Sequence, residues 1–181
     1  MQTPGKYIFF GSVFFLVSCE TDLEKINEVG RPNDAPKEIA ENIEVLYSDS
    51  GYVKMKLTAP RLEKYTDESD PHVIFPKGMK TLFYDRTLTV TSRLSAEYGI
   101  RYENSQRMEA RKNVEVINEK GDKLNTEHLT YSPADGKLRS DEFVKITTAD
   151  EIIYGTGLEA NEDFSRYRIF NIKGIINLKE K

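Results

Sequence analysis

Val53-Lys54-Met55-Lys56-Leu57-Thr58-Ala59 alternates apolar and polar residues without a break. As a strand, this stretch puts Val53, Met55, Leu57 and Ala59 on one face and Lys54, Lys56 and Thr58 on the other. A helix, with its period of about 3.6, would scatter the same apolar residues around its circumference. Working outward, Leu88, Val90, Leu94 and Ala96 hold one phase across Ser92. Met108 with Ala110, Val114 with Val116, Leu124 with Thr126, Leu138 with Ser140 and Val144 with Ile146 repeat the pattern in shorter form. Glu119-Lys120-Gly121-Asp122 and Ser132-Pro133-Ala134-Asp135-Gly136 separate these runs with residues suited to tight turns. Ten Tyr, nine Phe and no Trp, among many Val, Ile and Thr, agree with strands. No segment carries a sustained helical stripe.

The spacing of the runs adds a second level. Sliding the chain by 30 residues without a gap lays Leu94 on Leu124, Ala96 on Thr126, Glu97 on Glu127, Met108 on Leu138, Ala110 on Ser140, Val114 on Val144 and Val116 on Ile146. This is an internal repeat of strand pairs, none of which hides its apolar face alone, so stacked units share one inner face.

The 181 residues allow one domain. Charged residues make up 31% of the chain but sum to only −4, with no basic stripe for phosphates, which argues against nucleic acid as a partner. One Cys excludes an internal disulfide, and two separated His, His72 and His128, offer no metal-ligand spacing; the sequence calls for no metal and no cofactor. Asp67, Glu68 and Asp70, and the pair Asp141-Glu142, fall in polar, turn-like sequence and read as solvated loop charge rather than calcium ligands or a glycosidase pair. No nucleophile with an orienting partner is found, so a non-enzyme is expected.

Residues 1–18 read as a signal segment: Lys6 supplies charge, and Tyr7 to Val17 is apolar apart from Gly11 and Ser12. Such a helix reaches roughly 17 Å, short of a hydrocarbon core of about 30 Å. Leu16-Val17-Ser18-Cys19 resembles the lipobox of bacterial lipoproteins, with the Cys19 thiol as diacylglycerol acceptor and small Ser18 before the cleaved bond. Residues 19–42, broken by Gly30, Pro32 and Pro36, read as a polar linker. A short helix from Pro36 to Ile43 is sterically permitted. The folded body is expected over residues 43–178.

Within that body the motifs resemble a known family. Asn113-Val114-Glu115-Val116, Leu124-Asn125-Thr126-Glu127-His128-Leu129-Thr130-Tyr131, Gly136-Lys137-Leu138-Arg139-Ser140-Asp141, Val144-Lys145-Ile146-Thr147 and Gly155-Thr156-Gly157-Leu158-Glu159-Ala160 follow in the order of the LptC family, the periplasmic component of lipopolysaccharide export. Ala59-Pro60-Arg61-Leu62 and Phe75-Pro76-Lys77-Gly78 resemble its opening strands, and the wider OstA-type repeat is shared. Well-known members keep a transmembrane helix where this chain offers a lipobox.

The resemblance implies an all-β fold, a twisted open β-jelly roll of stacked antiparallel repeats. It implies a protein on the periplasmic face of the inner membrane of a Gram-negative bacterium, here lipid-anchored. Lipopolysaccharide would be received from an ABC transporter whose periplasmic domains meet the N-terminal edge, then passed to an OstA/LptA-like bridge protein at the C-terminal edge. Leu57, Phe75, Leu94, Met108, Leu124, Leu138, Val144 and Ile146 are the expected lipopolysaccharide-binding residues. Tyr167, Ile169, Ile172, Ile175, Ile176 and Leu178 form the expected docking edge, in runs from Tyr167 to Ile172 and Gly174 to Leu178. The alternative is a surface or outer-membrane β-sandwich lipoprotein binding a carbohydrate or protein. That class would expose aromatics in a loop patch, whereas most Tyr and Phe here sit in strand-like runs.

Cys19→Ser removes the only thiol. Metabolic labelling with a fatty-acid analogue is expected to mark the native chain and not the variant; label retained by the variant would refute acylation at Cys19.

Overall fold

A computed structural model describes residues 35–66 and 69–178. The signal segment 1–18, Cys19, most of the linker, Asp67 and Glu68 lie outside them. Every regular element described is a strand: β1 (Glu38–Asp49), β2 (Tyr52–Tyr65), β3 (His72–Phe75), β4 (Met79–Tyr84), β5 (Val90–Ala96), β6 (Tyr98–Tyr102), β7 (Met108–Asn118), β8 (Lys123–Ser132), β9 (Lys137–Thr147), β10 (Glu151–Asn161) and β11 (Tyr167–Asn177).

All pairings are antiparallel and the strands stack in chain order. β1 pairs with β2, β2 with both β3 and β4, β4 with β5, β3 with β6, and both β5 and β6 with β7. From β7 to β11 each strand pairs with the next. β3 with β4, and β5 with β6, therefore act as long strands interrupted once. Tight turns make this meander possible. Ser50 and Gly51, with φ of 51° and 82°, supply the two positive values that a two-residue primed hairpin needs between Asp49 and Tyr52.

From β1 to β10, each long strand is interrupted at one level. Asn42 turns with φ 52° where its neighbour β2 carries Pro60, which has no N–H to give the ladder. Pro76-Lys77-Gly78 divides β3 from β4, and Glu97 divides β5 from β6. Lys112 and Asn113 interrupt β7 with φ of 65° and 48°, the β8–β9 register shifts between Thr126 and Thr130, and Gly157 breaks β10 with φ 81°. Such bulges bend a strand and re-aim the residues beyond the bend. Their alignment makes a corner that folds the sheet into two facing halves. One half contains β4, β5 and residues 52–58, 114–118, 123–126, 144–147 and 151–156; the other contains β3, β6 and residues 61–65, 108–111, 129–132, 137–140 and 158–161. Phe83 of the first half meets Tyr131 of the second edge to face, with ring centroids 5.5 Å apart. The result is the open antiparallel β-jelly roll expected from the sequence.

The inner faces supply the core. Val114, Val116, Leu124, Leu138, Val144 and Ile146 are 0% exposed, and each such side chain stabilises the fold by about 1.5–3 kcal/mol relative to exposure. The 30-residue slide superposes β8 on β5 and β6, and β9 on β7, with Leu94 and Leu124 both buried and Glu97 and Glu127 both at the corner.

Three local expectations are corrected. Leu88 does not share the inner face: it is exposed, with φ 63°, in a turn organised by the Asp85 carboxylate, which accepts from the amides of Thr87 and Thr89. The permitted helix from Pro36 is strand from Glu38 onward, because this segment ladders on β2 from Glu38 opposite Lys64 to Asp49 opposite Tyr52. The two C-terminal runs are one strand, β11, with a register shift opposite Tyr154 and Gly155.

Gly78 holds the corner at closest approach. Its φ is 86°, and a Cβ there would lie 2.8 Å from the Ala96 carbonyl oxygen. Gly78→Ala is expected to destabilise the body by about 1–3 kcal/mol, read as a lower urea midpoint with an unchanged slope.

Candidate functional site: a dry interior open at both ends

Alternation along the strands sends one side chain in two into the space between the half-sheets. Leu57, Phe75, Leu94, Leu124, Leu138, Val144 and Ile146 all point there and are buried, and Met108 packs against them partly buried. The eight expected residues thus share one surface, contributed by β2, β3, β5, β7, β8 and β9. In the middle rungs this interior is closed: the inner cavity bordered by Met55, Met79, Met108 and Tyr131 holds only about 20 Å³, room for about one water. A larger groove of about 740 Å³ runs beside the corner, bordered by Asn42, Glu44, Thr58, Lys77, Lys80, Glu97 and Asn113. Ile43, Ala59, Pro60, Met79 and Ala96 line it as well, so charges of both signs stand among apolar side chains.

The terminal rungs differ. On β11, Tyr167, Ile169, Ile172 and Ile175 pair with the buried Ala160, Leu158, Gly155 and Ile153 of β10, so they continue the inner face. Among the described residues no further rung stacks over them, and Ile172 and Ile175 stay 56% and 51% exposed, with Tyr167 and Ile169 partly covered. Ile176 pairs with Ile152 on the outer face, and Leu178 follows the strand, its amide donating to the Asp150 carbonyl at 2.7 Å. At the other end Ile43, Val45 and Tyr47 of β1 continue the inner face opposite Ala59, Leu57 and Met55, and Val45 is 42% exposed. The interior therefore runs from β1 to β11 and presents apolar side chains at both mouths, beside backbone edges that no described strand pairs.

The outer face of the second half holds a charged cluster absent from the sequence reading. The Glu109 carboxylate is buried on β7 and accepts from Arg111 at 2.6 Å and from His128 Nε2 at 3.3 Å, with Arg107 at 3.0 Å. Arg107 also lies over the Tyr102 ring, 4.6 Å from its centroid. Burial pushes the Glu109 carboxyl upward, but the hydrogen bonds from Arg111 and His128 and the guanidinium charges of Arg111 and Arg107 outweigh it and hold it below the ordinary value. These residues tie β7 to β8. Asp141 and Glu142 lie exposed at the corner of β9, and His72 stacks on Tyr65; neither group builds a reaction centre. Alternation flags Glu109 only as one more strand residue, because its partners come from the preceding turn, its own strand and the next strand.

The described strands define an antiparallel β-jelly roll with a dry interior whose terminal strands leave inward apolar side chains half-exposed. The family model for lipopolysaccharide assembly, LptC-related, matches residues 7–176, and the chain belongs to that family. Membership makes it a component of lipopolysaccharide transport, in a family of transport proteins rather than enzymes, on the periplasmic side of the inner membrane. No curated protein matches the chain.

Because the folded carboxyl of Glu109 titrates below its ordinary 4.5, its stabilisation is complete above that value and fades as pH falls through the folded one. Glu109→Ala is expected to cost about 1–3 kcal/mol at pH 7 and clearly less at pH 3, measured by urea melts; an equal loss at both would refute the ionic contribution.

Proposed function

We propose that this protein is the membrane-anchored link between a lipopolysaccharide transporter and the next protein of the export bridge. The anchor is the acylated Cys19, which several acyl chains make lasting where one would bind marginally. Lipopolysaccharide enters from the periplasmic domains of an ABC transporter at β1, rests its acyl chains between the half-sheets, and leaves at β11 for a bridge protein of the OstA repeat type. The observation that carries this reading is the half-exposure of inward apolar side chains at both terminal strands, Val45 at one and Ile172 and Ile175 at the other. A strand with unpaired donors and acceptors is a template for another chain. Adding a rung there extends both ladder and inner face in one step, so lipid tails cross from protein to protein without meeting water. Energy comes from the transporter, since shelter in a groove requires no bond to form or break.

Photo-crosslinkers at inward Val45 and Ile172 are expected to capture lipopolysaccharide while the transporter hydrolyses ATP, and those at outward Lys54 and Glu115 are not; equal capture on both faces would refute the groove. Deleting residues 174–181 is expected to leave a cooperative melt and transporter binding while abolishing capture of the bridge protein. Normal bridge capture by that folded truncation would place docking elsewhere.

A further inference from the structure

The turn joining β10 to β11 crosses the mouth of the fold on the side opposite the corner. It leaves β10 on the second half-sheet, yet it is held by the first: Ser92 Oγ of β5 donates to the Glu162 carbonyl at 2.9 Å, and Asn118 Nδ2 of β7 donates to the Phe164 carbonyl at 3.1 Å. Ser92 and Asn118 are direct cross-strand partners and both are buried, so their polar groups form one clasp aimed at this turn. The Glu162 carboxylate also accepts from the Tyr131 hydroxyl at 2.8 Å. Burial, and then that carboxylate, push the Tyr131 phenol far above its ordinary value, so it stays a donor.

Phe164 is fully buried and stacks on Tyr167, centroids 5.1 Å apart. Its φ of 51° is a left-handed conformation that a bulky aromatic adopts at a cost. Burial of the ring in the core offsets that strain, so the turn is held in place by what its side chain fills. Tyr131, held to the turn through Glu162, borders the small inner cavity together with Met55, Met79 and Met108. These are all the methionines of the chain besides Met1, and thioether side chains repack to fit an irregular guest. A cavity of about 20 Å³ admits no acyl chain, so the halves must part for lipid to pass. The corner is continuous backbone, which leaves the clasped mouth as the side that opens.

We propose that residues 161–166 are a strap that gates the groove, with Phe164 as a plug that an incoming acyl chain displaces. This rests on the lipopolysaccharide-transport reading. Opening releases the clasp at Ser92 and Asn118, relieves the Phe164 backbone and frees Tyr131 to swing from the Met-lined space.

Hydrogen exchange on the full chain with purified lipopolysaccharide tests it. Retention of lipopolysaccharide on the immobilised chain is expected together with about tenfold faster exchange across 161–166 and slower exchange across β8 and β9. Retention with unchanged or greater protection of 161–166 overturns the gate and leaves the transport reading standing. Absence of retention removes that reading and the gate with it. In parallel, Ser92→Ala with Asn118→Ala is expected to speed initial lipopolysaccharide capture about tenfold, as the loss of two hydrogen bonds implies, with a cooperative melt. An unchanged rate in the folded variant overturns the proposal. Should the double variant not melt cooperatively, Ser92→Ala alone is expected to speed capture several-fold, and an unchanged rate overturns the proposal equally.

Discussion

The long strands from β1 to β10 change direction at the same rung, and the rest of the fold depends on that alignment. Asn42, Pro60, Gly78, Glu97, Lys112, Asn113 and Gly157 occupy one column although no single residue type is common to all of them. They share a departure from regular strand: a positive φ, a missing N–H, or a residue left outside the ladder. Were one strand to bend a rung early, its inward and outward residues would exchange faces beyond the bend. The cross-corner bond from Asn113 Nδ2 to Glu97 Oε1, 2.5 Å, and that from the Glu97 amide to the Lys112 carbonyl, 3.0 Å, show how adjacent bends hold each other in line.

Folding a sheet upon itself without closing it leaves two edges, and here both carry the same compromise. Inner rungs hide their apolar residues completely. Terminal rungs expose theirs by about half, which leaves a hazard for aggregation in a free protein. β1 moderates its edge with Glu41 and Glu44, each paired to β2, whereas the second half of β11 carries Ile172, Ile175 and Ile176 with one charge, Lys173. The contrast fits different partners at the two ends.

The reading of alternation succeeds where a strand has neighbours on both sides. In β2, β8 and β9, one face is dry and the other wet, so the period of two stands out in the letters. It fails at β1, where only one neighbour covers the strand and Glu38, Glu41 and Glu44 dilute the apolar positions. It fails again at Leu88, where Asp85 gathers the amides of Thr87 and Thr89 and overrides the phase. The eight inward residues are legible because burial is the cause of their pattern. Glu109 is not, because its carboxylate is buried against Arg107, Arg111 and His128 on the face that alternation labels wet.

The sequence by itself determined the alternating strands of the repeat, most of the inner face and the family resemblance, since alternation, turn residues and repeat spacing are local properties of the chain. Only the tertiary structure decided that Phe164 enters the core and that Ser92 and Asn118 grip the turn beside it. Glu162 and Phe164 lie 70 and 46 residues from those clasping side chains, and no local preference carries information over that distance. Nor does any local rule place Ile175 half in water: its exposure arises because the stack of rungs ends there, a property of the assembled sheet rather than of the residue.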